Sequence, residues 1–266
     1  MLLSCASVCY RGYAEDEVNA MLEHAPKAGF KYVDIHGPMT WGPQAIDSLD
    51  TKSLRKRIED AGLKCTGLYP PGFGGANPEQ IETHAKAIAK ATKLCAELGG
   101  IHVVSTGAGS RRDLNVSSVI ACVKRIIELL PTENKITIGL EPHYGNVIEQ
   151  LEDYDRIFDE IHHPCVGICV DTGHFHSAKV DTIKLIKKYK ERIFDVHLKD
   201  HIGTQSVAIG HGEVDLPAIF GALKEIGYKG TITLELEVKD VENAPKYIEE
   251  AYKIMNKMSE GNGQPD

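Results

Sequence analysis

Four residues of metal-ligating type stand at the ends of four successive apolar runs. They are Glu141 in GLEPHYG, Asp171 in CVDTGHFH, His197 in DVHLKDH and Glu235 in LELEV. Three carboxylates and one imidazole form an oxygen-rich donor set that suits Mn²⁺, Mg²⁺ or Co²⁺ and extends to Zn²⁺. Such a set leaves coordination positions for substrate oxygens, which a catalytic metal requires. Singly, each residue has an ordinary reading: an acid at a strand end caps a loop or pairs with a cation, and a lone histidine packs. Their recurrence at the same end of consecutive runs is what points to one site. Glu235 and Glu237 alternate onto the same face of an extended chain, so spacing alone leaves two candidates for the last position.

Those positions require a scaffold that brings the run ends together. Eight short runs read as strands: 2–9, 31–36, 64–69, 101–105, 136–141, 166–171, 193–198 and 231–237. Each is mostly apolar, as expected of parallel strands covered on both faces. Amphipathic stretches lie between them. Val116, Val119, Ile120, Val123, Ile126, Ile127 and Leu130 form one apolar stripe at helical spacing. Asn77-Pro78 opens a second helix that ends before Gly99-Gly100. Eight strand–helix alternations predict an α/β fold, a single (β/α)8 TIM barrel over 1–258, with a frayed polar tail at 259–266. No GxGxxG follows the first strand, which removes the usual nucleotide-binding reason for an open sheet. In a barrel the chemistry sits where strands end and βα loops begin.

Composition narrows the partners. The chain of 266 residues carries a net charge of -8, which argues against nucleic acid and anionic membranes. No apolar run approaches the roughly 20 residues needed to cross a bilayer. The first residues turn acidic too soon for a secretory leader. The seven cysteines are odd in number and lack CxxC spacing, so reduced, largely buried thiols in a cytoplasmic protein are expected. Sequence leaves a homo-oligomer open.

The chain resembles the xylose-isomerase-like sugar isomerases and epimerases, which include ketose 3-epimerases, hydroxypyruvate isomerases and inosose dehydratases. The likeness rests on VGICVDTGHFHSAKVDTIKLIKKYKERIFDVHLKD (166–200), with its DTGH and HLKD, and on IGHGEVDLPAIFGALKEIGYKGTITLELE (209–237). Residues before these segments share only the strand–helix rhythm. The resemblance implies that Glu141, Asp171, His197 and Glu235 hold a divalent ion, manganese first. It selects Glu235 over Glu237 because Glu235 lies five residues after Gly230. It also implies substrate contacts from His174, three residues after Asp171, and from His143.

The substrate so implied is a small sugar or cyclitol with an α-hydroxy carbonyl. The metal would bind the carbonyl and its neighbouring hydroxyl and acidify the α-proton. Glu141 and Glu235 would pass that proton through an enediolate, one removing it and the other returning it. Lys199 would steady an oxygen, or be a rim lysine paired with Asp200. Two positions depart from the ketose 3-epimerase pattern: Val147 and Gly203 stand where a second Glu and an Arg are usual. The same intermediate could instead expel hydroxide, as in an inosose dehydratase or a 3-keto-glycoside lyase. Arg111-Arg112 could receive a phosphate, though adjacent arginines are usually just solvated. The remote alternative is an endonuclease IV-like nuclease. It lacks the required ligands, with Tyr69, Ser105-Thr106, Thr204 and Ser206 at those places, and it would bring negative charge to DNA.

Overall fold

The computed structural model describes residues 1–36 and 43–260. Eight parallel strands close into a ring: β1 (Leu2–Ala6), β2 (Tyr32–His36), β3 (Lys64–Tyr69), β4 (His102–Ser105), β5 (Thr137–Leu140), β6 (Val166–Asp171), β7 (Ile193–Leu198) and, after a two-stranded insertion, β10 (Thr231–Leu234). The insertion is an antiparallel hairpin, β8 (Asp200–Ile202) and β9 (Gln205–Val207). Neighbours in the ring follow chain order, and β10 pairs with both β7 and β1. The chain is a single-domain TIM barrel.

Ten α-helices appear among the described residues rather than one per strand. They are α1 (Glu17–Ala28), α2 (Pro43–Ser48), α3 (Thr51–Asp60), α4 (Pro78–Leu98), α5 (Val116–Leu129), α6 (Leu151–Glu160), α7 (Thr172–Ser177), α8 (Thr182–Lys188), α9 (Leu216–Glu225) and α10 (Ala244–Glu260). The additional helices divide two crossovers, β2 to β3 and β6 to β7. Local chemistry explains the boundaries. Asn77 accepts from the Gln80 N–H at 2.9 Å and Pro78 needs no donor partner, so α4 starts there. Gly99 ends it in the left-handed region at φ 83°. The stripe expected on α5 buries Val116, Val119, Ile120, Val123 and Ile126 against the barrel. Truncating the fully buried Ile126 to alanine should cost about 2–5 kcal/mol. The last helix runs to Glu260, so the tail expected from 259 overlaps it, and 261–266 lie outside the described residues.

Two strands, β1 and β10, end three residues before their apolar runs do, for one reason. The run from Leu2 bends at Ser7 into a 3-10 turn, Ser7–Tyr10. That turn places the Cys9 thiol against the other strand's end, where it donates to the Leu234 carbonyl (3.2 Å) and accepts from the Leu236 N–H (3.1 Å). A side chain thus replaces the backbone ladder beyond Leu234, and Glu235 leaves the sheet with only its N–H bonded back to Leu198 O (3.2 Å).

The barrel interior is unusually polar. Ser4, Asp34, His102, Asp195, Thr231 and Thr233 are all essentially inaccessible, where branched apolar side chains usually dominate. The seven cysteines are free, and all but Cys165 are buried. No helix among the described residues is long and apolar enough to cross a membrane.

Candidate active site

The four strand-end residues converge. Ligand-type atoms of Glu141, Asp171, His197 and Glu235 all lie within 4.8 Å of one another, and all four residues are buried. Barrel geometry produces this. Asp171 and His197 are register partners across β6 and β7, and Glu141 follows β5 with its N–H bonded to Ser105 O (2.9 Å). Asp171 has two tasks. Its Oδ1 caps α7 by accepting from the His174 N–H (2.7 Å), and its Oδ2 accepts no hydrogen bond from the protein.

Three carboxylates here share one imidazole and one ammonium. His197 Nδ1 faces Glu141 Oε1 at 2.5 Å and Glu235 Oε2 at 2.9 Å. One ring proton can serve only one of them, and Glu235 Oε2 has no aligned donor. Burial, and then Glu235 and Glu141 against the pull of Lys199, pushes the Asp171 carboxyl well up. Burial would also raise Glu235, but Lys199 and His197 outweigh it and hold that carboxyl well below its usual range. Orphaned, buried oxygens around one imidazole nitrogen form a donor set that fits a divalent cation.

Lys199 is placed otherwise than as a partner of Asp200. Its Nζ donates to Glu237 Oε2 (2.7 Å), and it lies 3.2 Å from Glu235 Oε1 and 3.8 Å from Asp171 Oδ2. These carboxylates keep the ammonium charged despite burial, Glu235 most strongly. Asp200 turns away and accepts N–H groups of Gly210, Gly212 and Val214, holding the GHGEVD turn. Glu237 sits at the rim, over a third exposed, between Lys199 and Arg11 (3.3 Å). Glu235, by contrast, is in the cluster.

These groups open into a cavity of about 440 Å³. Its floor holds Glu141 and Glu235, and His143, His174 and Lys199 line one side. The His143 and His174 rings lie 3.9 Å apart. Burial, then Lys199 and His143, pushes the His174 imidazole far down, so it is neutral. Its Nε2 faces the Lys199 ammonium at 3.5 Å. The opposite wall comes from Pro70, Pro71, Gly72 and 105–108, fastened by Phe73 N–H to Thr106 O (2.8 Å) and Ala108 N–H to Phe73 O (2.7 Å).

Three groups at the pocket were not singled out from sequence as site residues. Tyr69 donates to Glu141 Oε2 at 2.5 Å, and burial and Glu141 push its phenol well up, so it remains a donor. His36 packs between Tyr69 and His197, with ring centroids 4.8 and 5.1 Å away. Arg11 lines the cavity near Glu237. The signal for the first two was present: each ends an apolar run, as the four metal-type residues do. Neither Val147 nor Gly203 lines the cavity. Val147 is buried over Gly107, where an added Cβ would lie 2.2 Å from it, and Gly203 forms the β8–β9 turn. Arg111 is held by Glu149 (2.5 Å) and Asp153 (3.5 Å) and does not line the cavity.

A second layer lies one pleat deeper. Asp34, His102 and Asp195 bring ligand-type atoms within 4.8 Å of one another, inside the barrel and away from solvent.

Comparison with known proteins follows this geometry. A sequence model described as "Xylose isomerase-like TIM barrel" matches residues 22–258. The chain is 24% identical over 223 residues to the inosose dehydratase of Geobacillus thermodenitrificans (strain NG80-2), covering 71% of this chain and 74% of that one. It is 25% identical over 225 residues to the L-ribulose 3-epimerase of Methylomonas sp. (strain DH-1), covering 79% and 75%. Among solved structures, the IolI protein with a bound zinc atom superposes with a TM-score of 0.83 at 20% identity, over all of both chains.

Proposed function

The chain belongs to the xylose isomerase-like TIM barrel family, and from that premise we propose that it is a divalent-metal-dependent isomerase or epimerase of a small polyhydroxy carbonyl compound. The observation that carries the reading is the pair Glu141 and Glu235. They leave strands three steps apart in the ring and both reach His197 Nδ1. A planar enediolate between them presents one face to each carboxylate.

Glu141, Asp171, His197 and Glu235 would hold the ion, which supplies Lewis acidity toward the substrate's carbonyl and adjacent hydroxyl. The chain's own groups do the rest. Lys199 keeps Glu235 ionised, so that carboxylate is ready to accept the α-proton. Tyr69 fixes Glu141 through Oε2 and leaves Oε1 toward the cluster. A proton returned by the second glutamate inverts a centre, or moves the carbonyl when delivered to the neighbouring carbon. Neutral His174, with His143 beside it, offers ring nitrogens to substrate hydroxyls from the cavity wall. The proline–glycine wall opposite keeps water from the enediolate. Homologues named for inososes and L-ribulose support an uncharged sugar or cyclitol.

One observation favours a second reading, elimination of water as in the inosose dehydratase relative. Val147 is apolar and buried at the place of the second glutamate usual in ketose 3-epimerases, so that contact to a free ketose is missing. Both readings begin with the same proton abstraction. The test is solvent deuterium uptake over ketoses, inososes and 3-keto-glycosides, with Mn²⁺ added to chelator-stripped protein. Exchange without loss of water supports epimerisation, and exchange with an enone product supports elimination. Absence of exchange with every α-hydroxy carbonyl would sink both.

A further inference from the structure

The buried charges beneath the cluster take no part in the chemistry above, yet they reach it at both ends, at His197 and at Glu235. His197 has two ring nitrogens that face different neighbours. Nδ1 faces the glutamates, and Nε2, which makes no aligned hydrogen bond, has Asp195 Oδ2 as its acidic neighbour at 3.3 Å. Asp195 is two residues earlier on β7, so it points into the barrel one pleat deeper. Thr233 Oγ1 donates to its carboxylate at 3.2 Å, and His102 Nε2 lies 3.4 Å from Oδ2. His102 Nε2 is in turn 2.8 Å from Asp34 Oδ2, whose other oxygen is 3.4 Å from His36 Nε2. His36 Nδ1 closes the loop 3.9 Å from Glu235 Oε1.

Room has been made for this arrangement. A Cβ on Gly67 would lie 2.2 Å from the His102 ring and 2.6 Å from Asp34 Oδ2, so any other residue would push the pair apart. Burying charges costs several kcal/mol each unless they are paired, and an apolar filling would close a barrel at no such cost. A metal-binding imidazole, however, is normally oriented by a carboxylate on its second nitrogen, which fixes the tautomer and strengthens the ligand. Asp195 has that position and that chemistry.

We propose that Asp195, braced by Thr233 and by the His102–Asp34 pair, is a positioning residue that accepts the Nε2 proton of His197 and leaves Nδ1 bare toward the acidic cluster. This rests on the metal reading of the site. It assigns the interior charges to holding one ligand in register rather than to binding a second ion.

The test measures ion binding rather than turnover. Chelator-stripped wild type and Asp195→Asn are titrated with Mn²⁺ by calorimetry, and Co²⁺-loaded forms are compared by visible absorption. Wild type should take one ion per chain. Asp195→Asn, which keeps the volume, should melt within a few degrees of wild type when stripped. It should bind Mn²⁺ roughly 10–100-fold more weakly, the usual cost of losing such a partner, with shifted Co²⁺ bands. An unchanged Kd and unchanged bands would overturn the proposal. Should Asp195→Asn fail to fold, Thr233→Val is titrated instead, with the same direction expected and the same null result decisive. A wild type that takes no ion defeats the metal reading itself. Two ions, one of them lost in Asp34→Asn, would make the interior cluster a site and overturn the positioning role.

Discussion

The two halves of the barrel carry different loads. Strands β5, β6, β7 and β10 deliver Glu141, Asp171, His197 and Glu235, together with Lys199 and Glu237. Strands β1 to β4 and their loops deliver Arg11, His36, Tyr69 and the proline–glycine wall. The second half concentrates acid around one imidazole. The first half contributes aromatic rings, backbone and one phenol that donates into that acid. Chemistry is thus set by one side and shape by the other, with Tyr69 and Arg11 hydrogen-bonded across the divide to Glu141 and Glu237.

Substitutions can sharpen or break that division. The largest effect should come from Glu235→Gln or Glu141→Gln, which removes a base while keeping an oxygen for an ion. Turnover on a substrate found by exchange should fall by roughly two to four orders of magnitude, and excess Mn²⁺ should not restore it. If Glu237→Gln is the damaging change and Glu235→Gln is not, the assignment of these two glutamates must be exchanged.

Tyr69→Phe is the matching change in the first half. It deletes a bond to a charged acceptor, worth about 1.5–3 kcal/mol, so kcat should fall roughly 10–100-fold while ion affinity stays within a few-fold. A loss as deep as that of the glutamates would show that the phenol itself moves a proton, and the division between halves would fail. Arg111→Ala is expected to leave kcat/KM nearly unchanged. Arg111 is partly exposed but pairs with the buried Glu149 and Asp153, so its loss should be felt in stability rather than in turnover. A large rise in KM would restore an anionic substrate.

The smallest expected effect separates the halves by acid response. Burial, then Lys199 and His176, pushes His201 down to about 4 from 6.5. The unfolded chain therefore binds more protons between those values, and this contribution to stability is full above about pH 6.5 and lost as pH falls toward 4. His201→Gln should flatten that part of the Tm-against-pH curve. A curve that keeps the wild-type slope would remove His201 as its source.

The fold was legible because parallel strands repeat an unmistakable apolar rhythm and their ends carry unlike residues. The second-half cluster was legible for the same reason: Glu141 and Asp171 close their runs, and His197 and Glu235 stand within two residues of the end of theirs. What escaped was whatever depends on register between distant strands. Nothing local to Asp195, His102 or Asp34 says that their side chains meet, although Asp195 and His197 already alternate onto one face. The Cys9 thiol shortened two strands through a contact across 225 residues of sequence, beyond the reach of any periodicity. The β8–β9 hairpin was hidden because its strands are three residues each. Of the two readings open for Lys199, the pairing with its sequence neighbour Asp200 gives way because the stronger partners, Glu235 and Glu237, come from another strand.

Ring closure has a consequence for how the molecule is made. Leu2 pairs with Thr231, so during synthesis β1 waits until β10 has been made before its second edge is covered. Contacts so distant in sequence are formed late and slowly. Glu235 arrives on that same final strand, directly after the residue that pairs with Cys5. An ion needing all four ligands would therefore find no home on a partly made barrel and would bind only the finished one. By mass action it then favours the closed ring over every open form. The metal would act as a clasp, fastened last, on the seam where the two ends of the sheet meet.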